Sequence, residues 1–144
     1  MATSIQVVID CVDPAALGEF WAAALGYRVQ EPPAGFATWQ DFLAAQGIPE
    51  AEWNSANAVV DPEQRGPRIF FQRVPEPKTA KNRLHLDLNV GGGRQIPLAV
   101  RRERVDQEVV RLQHIGAGLV QPMDERDEYW VVMRDPEGNE FCVH

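Results

Sequence analysis

Arg83-Leu84-His85-Leu86-Asp87-Leu88-Asn89-Val90 alternates polar and apolar residues throughout. In a strand, successive side chains project from opposite faces. Leu84, Leu86, Leu88 and Val90 then share a face suited to packing on helices. Arg83, His85, Asp87 and Asn89 share the other, and it carries four groups able to hold a ligand. One of them, the His85 imidazole, can also bind metal. The chain-terminal stretch Glu140-Phe141-Cys142-Val143-His144 alternates in the same way, with Glu140 and Cys142 on one face.

Working outward from these strands, the chain reads as two similar halves. Ile5 to Cys11 is a β-branched strand, with Gln6, Val8 and Asp10 on one side. Asp13 as N-cap and Pro14 at the first helical position open a helix over 14–25, with Leu17, Phe20, Trp21, Ala24 and Leu25 at helical spacing. Gly26 suits a left-handed helix end. Tyr27 to Gln30, Ala56 to Val60 and Arg68 to Val74 read as the following strands, and Phe70 and Gln72 share a face of the last. Between them, residues 33–54 form a helical insert carrying Trp39, Phe42 and Trp53, with Thr38 capping a helix that Gly47 ends. These aromatics either pack the insert onto the domain or form a lid or dimer contact.

Pro75 to Asn82 is a charged linker between module one, 1–76, and module two, 82–144. After the strand at 83–90 and a loop at Gly91-Gly92-Gly93, the pattern is helical from about Arg101 to Ile115, with Val105, Val109 and Leu112 inward. A short strand near Leu119-Val120, a strand from Tyr129 to Met133, a turn at 135–139 and the terminal strand follow. The turn before the last strand begins Asp61-Pro62-Glu63 in one half and Asp135-Pro136-Glu137 in the other. A repeat of about 70 residues constrains topology more than any single motif.

Composition narrows the function. A formal net charge of -7 argues against a nucleic-acid role, since phosphate binding needs a basic face. No apolar run approaches the roughly 20 residues that span a bilayer, so no membrane role is expected. The N-terminus lacks a basic region followed by an apolar core, and the expected location is the cytoplasm. Cys11 and Cys142 lie in apolar strand patterns and are expected to be reduced and buried.

Asp13-Pro14 leading into Phe20-Trp21 and Leu25-Gly26-Tyr27, the strand from Arg83 to Leu88, Gly116-Ala117 and the turn Asp135-Pro136-Glu137-Gly138-Asn139 together resemble the vicinal oxygen chelate superfamily. That group includes glyoxalase I, extradiol dioxygenases and bleomycin-resistance proteins. The resemblance covers nearly the whole chain apart from the insert, and is strongest to glyoxalase-like single-domain proteins. It implies an α+β fold of two βαβββ modules forming a half-open curved barrel, a cup, with helices outside, in a single domain over 1–144 that often completes itself in a homodimer.

The resemblance also implies a small-molecule ligand, handled in one of two ways. One is catalysis, as a lyase or isomerase acting next to a carbonyl. The other is metal-free binding of a drug or metabolite, as in bleomycin-resistance proteins. Catalytic members hold a metal with four ligands on the cup face. Those positions fall here at Gln6, His85, Cys142 and either Phe70 or Gln72. The two carboxylates usual in the family are missing, so no cofactor is expected, and a divalent metal at Gln6, His85 and Cys142 is the lesser alternative. The expected catalytic residues are His85, for proton transfer, and Glu140, as a base. Gln6, Gln72, Arg83, His85, Asp87 and Cys142 are the expected ligand contacts. His85 as a hydrogen-bonded structural histidine and Glu140 as a solvated rim residue remain the alternatives. Glu140 would raise the Cys142 pKa and keep that thiol protonated. His144, as a terminal residue, is expected to fray.

Overall fold

Asp13 ends the first strand and starts the first helix. Its carboxylate accepts the Ala16 amide at 3.1 Å, and Pro14 follows where no amide donor is needed. A computed structural model describes residues 1–144. The chain divides into two compact units, Met1–Pro77 and Lys78–His144.

In the first unit, β1 (Val7–Cys11) leads to α1 (Pro14–Leu25), which Gly26 ends at φ 69°. β2 (Arg28–Val29), α2 (Trp39–Ala45), a 3-10 turn (Glu50–Glu52), β3 (Ala56–Val60) and β4 (Ile69–Arg73) follow. The strands lie in the order β1-β4-β3-β2, with β1 parallel to β4 and the other pairs antiparallel. α1 lies against β3 and β4. Leu17, Phe20 and Trp21 of α1 and Val59, Ile69 and Phe71 of the sheet are all buried. Each such side chain contributes about 1.5–3 kcal/mol by leaving water. Gly18 allows the close approach, since a Cβ there would stand 2.8 Å from the Asn57 amide nitrogen.

The first strand starts two residues later than its β-branched pattern suggests. Ile5 is 75% exposed, and the first rung is Val7 N–H to the Arg68 carbonyl. In the insert, Thr38 caps α2 through the Asp41 amide, and Gly47 has φ 72°. α2 buries no residue fully. Its aromatics pack on one another, with Phe42 edge-on to both Phe36 and Trp39. The Trp39 indole donates to the Gln30 carbonyl, which ties the insert to the end of β2.

The second unit runs β5 (Asp87–Leu88), α3 (Leu98–His114), β6 (Gly118–Glu125), β7 (Glu128–Arg134) and β8 (Glu140–Val143). Its strands lie in the order β5-β8-β7-β6, with β5 parallel to β8. Val105, Val109 and Leu112 of α3 and Val131, Met133, Phe141 and Val143 of the sheet make the core. Each unit is thus one βαβββ set with a four-stranded mixed sheet that does not close into a barrel.

The expected long strand at 83–90 is mostly not ladder. Only Asp87–Leu88 is strand, and hydrogen bonds from Cys142 to Leu86 and from Val90 to His144 extend the pairing slightly. Its one neighbour, β8, is four residues long, so residues before Leu86 find no rung. The chain bends at Arg83-Leu84, and Leu84 is 73% exposed instead of sharing the buried face of Leu88.

Two further elements differ from their sequence patterns. α3 begins at Leu98, earlier than the apolar periodicity shows, because the Pro97 carbonyl accepts from Val100 and Arg101. β6 has eight residues and pairs with β7 around Arg126-Asp127, at φ 51° and 62°. Two left-handed residues fit a tight hairpin, but Arg-Asp lacks the usual Asn-Gly signal. Pro122 is tolerated because β6 is an edge strand.

The repeated Asp-Pro-Glu turn has a physical cause in each unit. The Asp135 carboxylate accepts the amides of Glu137 and Asn139, and Asp61 accepts those of Glu63, Arg65 and Gly66. The short side-chain acceptor adds to the backbone bonds of each turn, Gln64 N–H to the Asp61 carbonyl and Gly138 N–H to the Asp135 carbonyl.

Candidate functional site

Asp87 faces Cys142 across the parallel ladder of β5 and β8. Strand alternation places His85 on the same side as Asp87. The ligating atoms of His85, Asp87 and Cys142 lie within 4.8 Å of one another. Asp87 Oδ1 stands 3.4 Å from His85 Nε2, and Oδ2 stands 3.5 Å from His144 Nε2. One carboxylate therefore neighbours two imidazoles, close enough to pair with either when it is protonated. The His85 and Asp87 side chains are each 44% exposed, so the group is open to solutes.

His144 was expected to fray and does not. Its amide donates to the Leu88 carbonyl, and its carbonyl accepts from Val90 and Gly91. Its ring stacks on Trp130, with centroids 5.8 Å apart. The parity of Glu140, Cys142 and His144 carried the signal for this, and the terminal rungs supply the order.

Cys142 is 6% exposed, a free thiol. Burial pushes its pKa up, and the Asp87 carboxylate adds to this against a small opposing effect of Lys81. The neighbour responsible is Asp87, where the sequence pointed to Glu140. Glu140 itself is engaged elsewhere. Its carboxylate accepts the Asn82 amide at 2.9 Å and pairs with Lys78 at 3.2 Å. Burial alone would raise its pKa, but the Asn82 amide, its own backbone and Lys78 outweigh that and hold it at about 2. A carboxylate so stabilised is a poor base at neutral pH. Its geometry is that of a brace for the segment entering β5. Arg83 lies exposed in the bend before β5, and no hydrogen bond or ion pair joins it to His85 or Asp87.

The first unit holds the other expected contacts. Gln6 precedes β1, and its side-chain oxygen accepts from Arg68 Nη1 at 2.7 Å. Arg68 Nε donates to Gln30 Oε1 at 2.7 Å, and the guanidinium lies over the Phe70 ring at 5.2 Å. Gln72 is exposed and shares the Phe70 face of β4. Arg68 went unassigned in the sequence, although it has the same parity as Phe70 and Gln72.

These contacts test the family's metal positions. The amide oxygen of Gln6 already faces a guanidinium, so a cation there meets like charge. Phe70 has no donor atom, and Gln72 offers only a neutral amide. Cys142 is a thiol held protonated. That set does not fit the hard divalent cations that carboxylates and imidazoles hold. His85 and Cys142 also group with Asp87, and this imidazole, carboxylate and thiol suit a softer ion such as zinc.

Comparison with curated protein sequences gives no match. Solved structures do share the fold. A glyoxalase/bleomycin resistance protein/dioxygenase family enzyme from Burkholderia phytofirmans PsJN is 18% identical with a TM-score of 0.62, over 96% of this chain and 94% of that one. A mutant FosX fosfomycin resistance protein from Listeria monocytogenes, in complex with Mn(II) and 1S,2S-dihydroxypropylphosphonic acid, is 10% identical with a TM-score of 0.62, over 100% and 90%. TioX from Micromonospora sp. ML1 is 17% identical with a TM-score of 0.53, over 99% and 97%. The family model for a glyoxalase-like domain matches residues 6–144. The chain therefore belongs to the glyoxalase-like family.

Proposed function

We propose that this protein acts on a small carbonyl compound by proton transfer, as a lyase or isomerase, with His85 exchanging the proton and Asp87 orienting His85. The observation that carries this reading is the Asp87 carboxylate between the imidazoles of His85 and His144, at 3.4 and 3.5 Å. A carboxylate beside an imidazole favours one ring orientation and stabilises the charged ring that forms when it takes a proton. Glu140 has no part in this step, since its carboxylate is committed to Asn82 and Lys78.

The test is solvent exchange. Small carbonyl compounds are incubated with the protein in deuterated water, and loss of the proton beside the carbonyl is followed by NMR. Exchange with at least one compound, slowed about 10²-fold or more by His85→Ala, supports the reading. Unchanged exchange in that variant overturns it.

Metal-free ligand binding of the bleomycin-resistance type is the second reading. The flat Trp130–His144 stack favours it, because such a surface suits a planar ligand. Thermal stabilisation by a ligand that undergoes no exchange would select it. We infer no resident cofactor at the family's metal positions. The softer donor group of His85, Asp87 and Cys142 keeps a zinc-class ion in view. Elemental analysis after dialysis without chelator tests this, and one equivalent of metal lost on Cys142→Ala would establish that ion. The partners we propose are a small molecule and a second copy of the chain, with neither nucleic acid nor membrane. The net charge of -7 supports the first exclusion, and no helix is long and apolar enough to cross a membrane. The proposed compartment is the cytoplasm.

A further inference from the structure

Arg68 is held in place by neutral groups only. Gln30 and Gln6 accept from its Nε and Nη1, both at 2.7 Å, and the Phe70 ring lies beneath it. No carboxylate lies within ion-pair distance of it. Most other arginines with a fixed contact here point at an acid: Arg28 to Glu31, Arg94 and Arg101 to Glu128, Arg102 to Asp124, and Arg111 to Glu108. Arg73 and Arg104 also lack an ion pair but are each held by one backbone carbonyl, whereas Arg68 is held by two side-chain amides and a ring.

A guanidinium has five N–H donors. The two glutamines use two of them, which leaves three for a ligand. The two amide oxygens and the ring restrict the side chain before any ligand arrives, and that reduces the entropy lost on binding. Arg68 stands at the start of β4 with the parity of Phe70 and Gln72, on the sheet face opposite the buried Ile69 and Phe71. Two planar N–H bonds in parallel match the two oxygens of a carboxylate or phosphoryl group.

We propose that Arg68, positioned by Gln6 and Gln30, is an oxyanion-binding site. It takes the terminal carboxylate or phosphoryl group of a small molecule. This goes beyond the proton-transfer reading and does not depend on it, because it concerns residues of the first unit alone.

The test follows the Arg68 Nε–H signal of the full-length protein by NMR. Sodium phosphate, sodium acetate and sodium chloride are added at matched ionic strength. A saturable shift with phosphate or acetate, absent with chloride, is expected. Whichever of the two saturates at lower concentration identifies the phosphoryl or the carboxylate source. Arg68→Lys keeps the charge without the planar fork, and should weaken the preferred anion about tenfold or more. The Gln6→Leu, Gln30→Leu double variant keeps the arginine and releases it, and should also weaken binding. Equal shifts with chloride, no saturation, or unchanged affinity in Arg68→Lys would overturn the proposal. The amide spectrum of each variant shows whether it is folded, so a folding defect is not mistaken for lost binding.

Discussion

The His144 imidazole lies within 7° of parallel to the Trp130 ring, with centroids 5.8 Å apart. The antiparallel register of β7 and β8 creates this pair. Val131 faces Val143 and Val132 faces Cys142, so the next position brings Trp130 opposite His144. The stack in turn sets the His144 Nε2 beside Asp87. Trp130→Ala should therefore disturb ligand binding at a site it does not itself carry chemistry for. For a planar compound found by thermal shift, affinity should fall about two- to tenfold, the usual worth of one aromatic stack. Calorimetry on the wild type and variant checks this, and equal affinities would remove the stack from the site.

Cys142 should resist alkylation in the native protein. It is 6% exposed, and burial followed by Asp87 raises its pKa above the usual thiol value of 9.0. The thiolate is the reactive form, so labelling should be slow at pH 7 and quicken as pH passes above that value. Asp87→Asn removes one of the two upward effects and should move the onset to lower pH. Mass spectrometry of peptides after timed iodoacetamide treatment reads both, with Cys11 scored separately. Rapid native labelling of Cys142 at pH 7 would contradict the geometry.

Glu140 should contribute to acid stability. Its folded pKa of about 2 lies below the ordinary value of 4.5. The folded state therefore favours the ionised carboxylate. The resulting stability is fully present above pH 4.5 and is lost as the pH falls towards about 2. Glu140→Gln removes the charge that Lys78 pairs with, and should cost on the order of 1–2 kcal/mol at pH 7, allowing for solvent screening of the pair. The variant should also lose less stability than the wild type between pH 4.5 and 2. Urea unfolding at a series of pH values tests the sign.

Light scattering at micromolar concentration should give twice the mass of the 16.1 kDa chain. The expectation of a homodimer comes from the family resemblance, and the aromatics of the 33–54 insert are the proposed anchors. A mass of one chain would leave Phe36, Trp39 and Phe42 with a packing role alone, since they already contact one another.

Much of the architecture was legible in the sequence because it rests on local physics. Asp13-Pro14 opens α1 and Gly26 closes it through groups only a few residues away. The Asp61 and Asp135 turns close on their own amides, which is why a repeated tripeptide marked two equivalent hairpins. Alternation at Asp87 and Leu88 correctly separated the open from the buried face, whereas in β8 Phe141 and Cys142 are both buried although they alternate. The donor group of His85, Asp87 and Cys142 followed from that alternation once β5 and β8 were paired.

What the chain could not show locally was decided by contacts distant in sequence. β5 is short because its neighbour β8 is short, and no periodicity within 83–90 records that. His144 is ordered by rungs to Leu88, Val90 and Gly91, more than fifty residues earlier. Glu140 and Cys142 share a strand face, yet Lys78 and Asn82 draw the carboxylate of Glu140 away while burial keeps the thiol of Cys142 beside Asp87. Arg68 lies 62 residues from Gln6 and 38 from Gln30, so its position between them is a product of the β1–β4 pairing and the end of β2. Alternation along a strand assigns a side chain to a face, but its partner on that face depends on which strand folds beside it, and that is a property of the whole sheet.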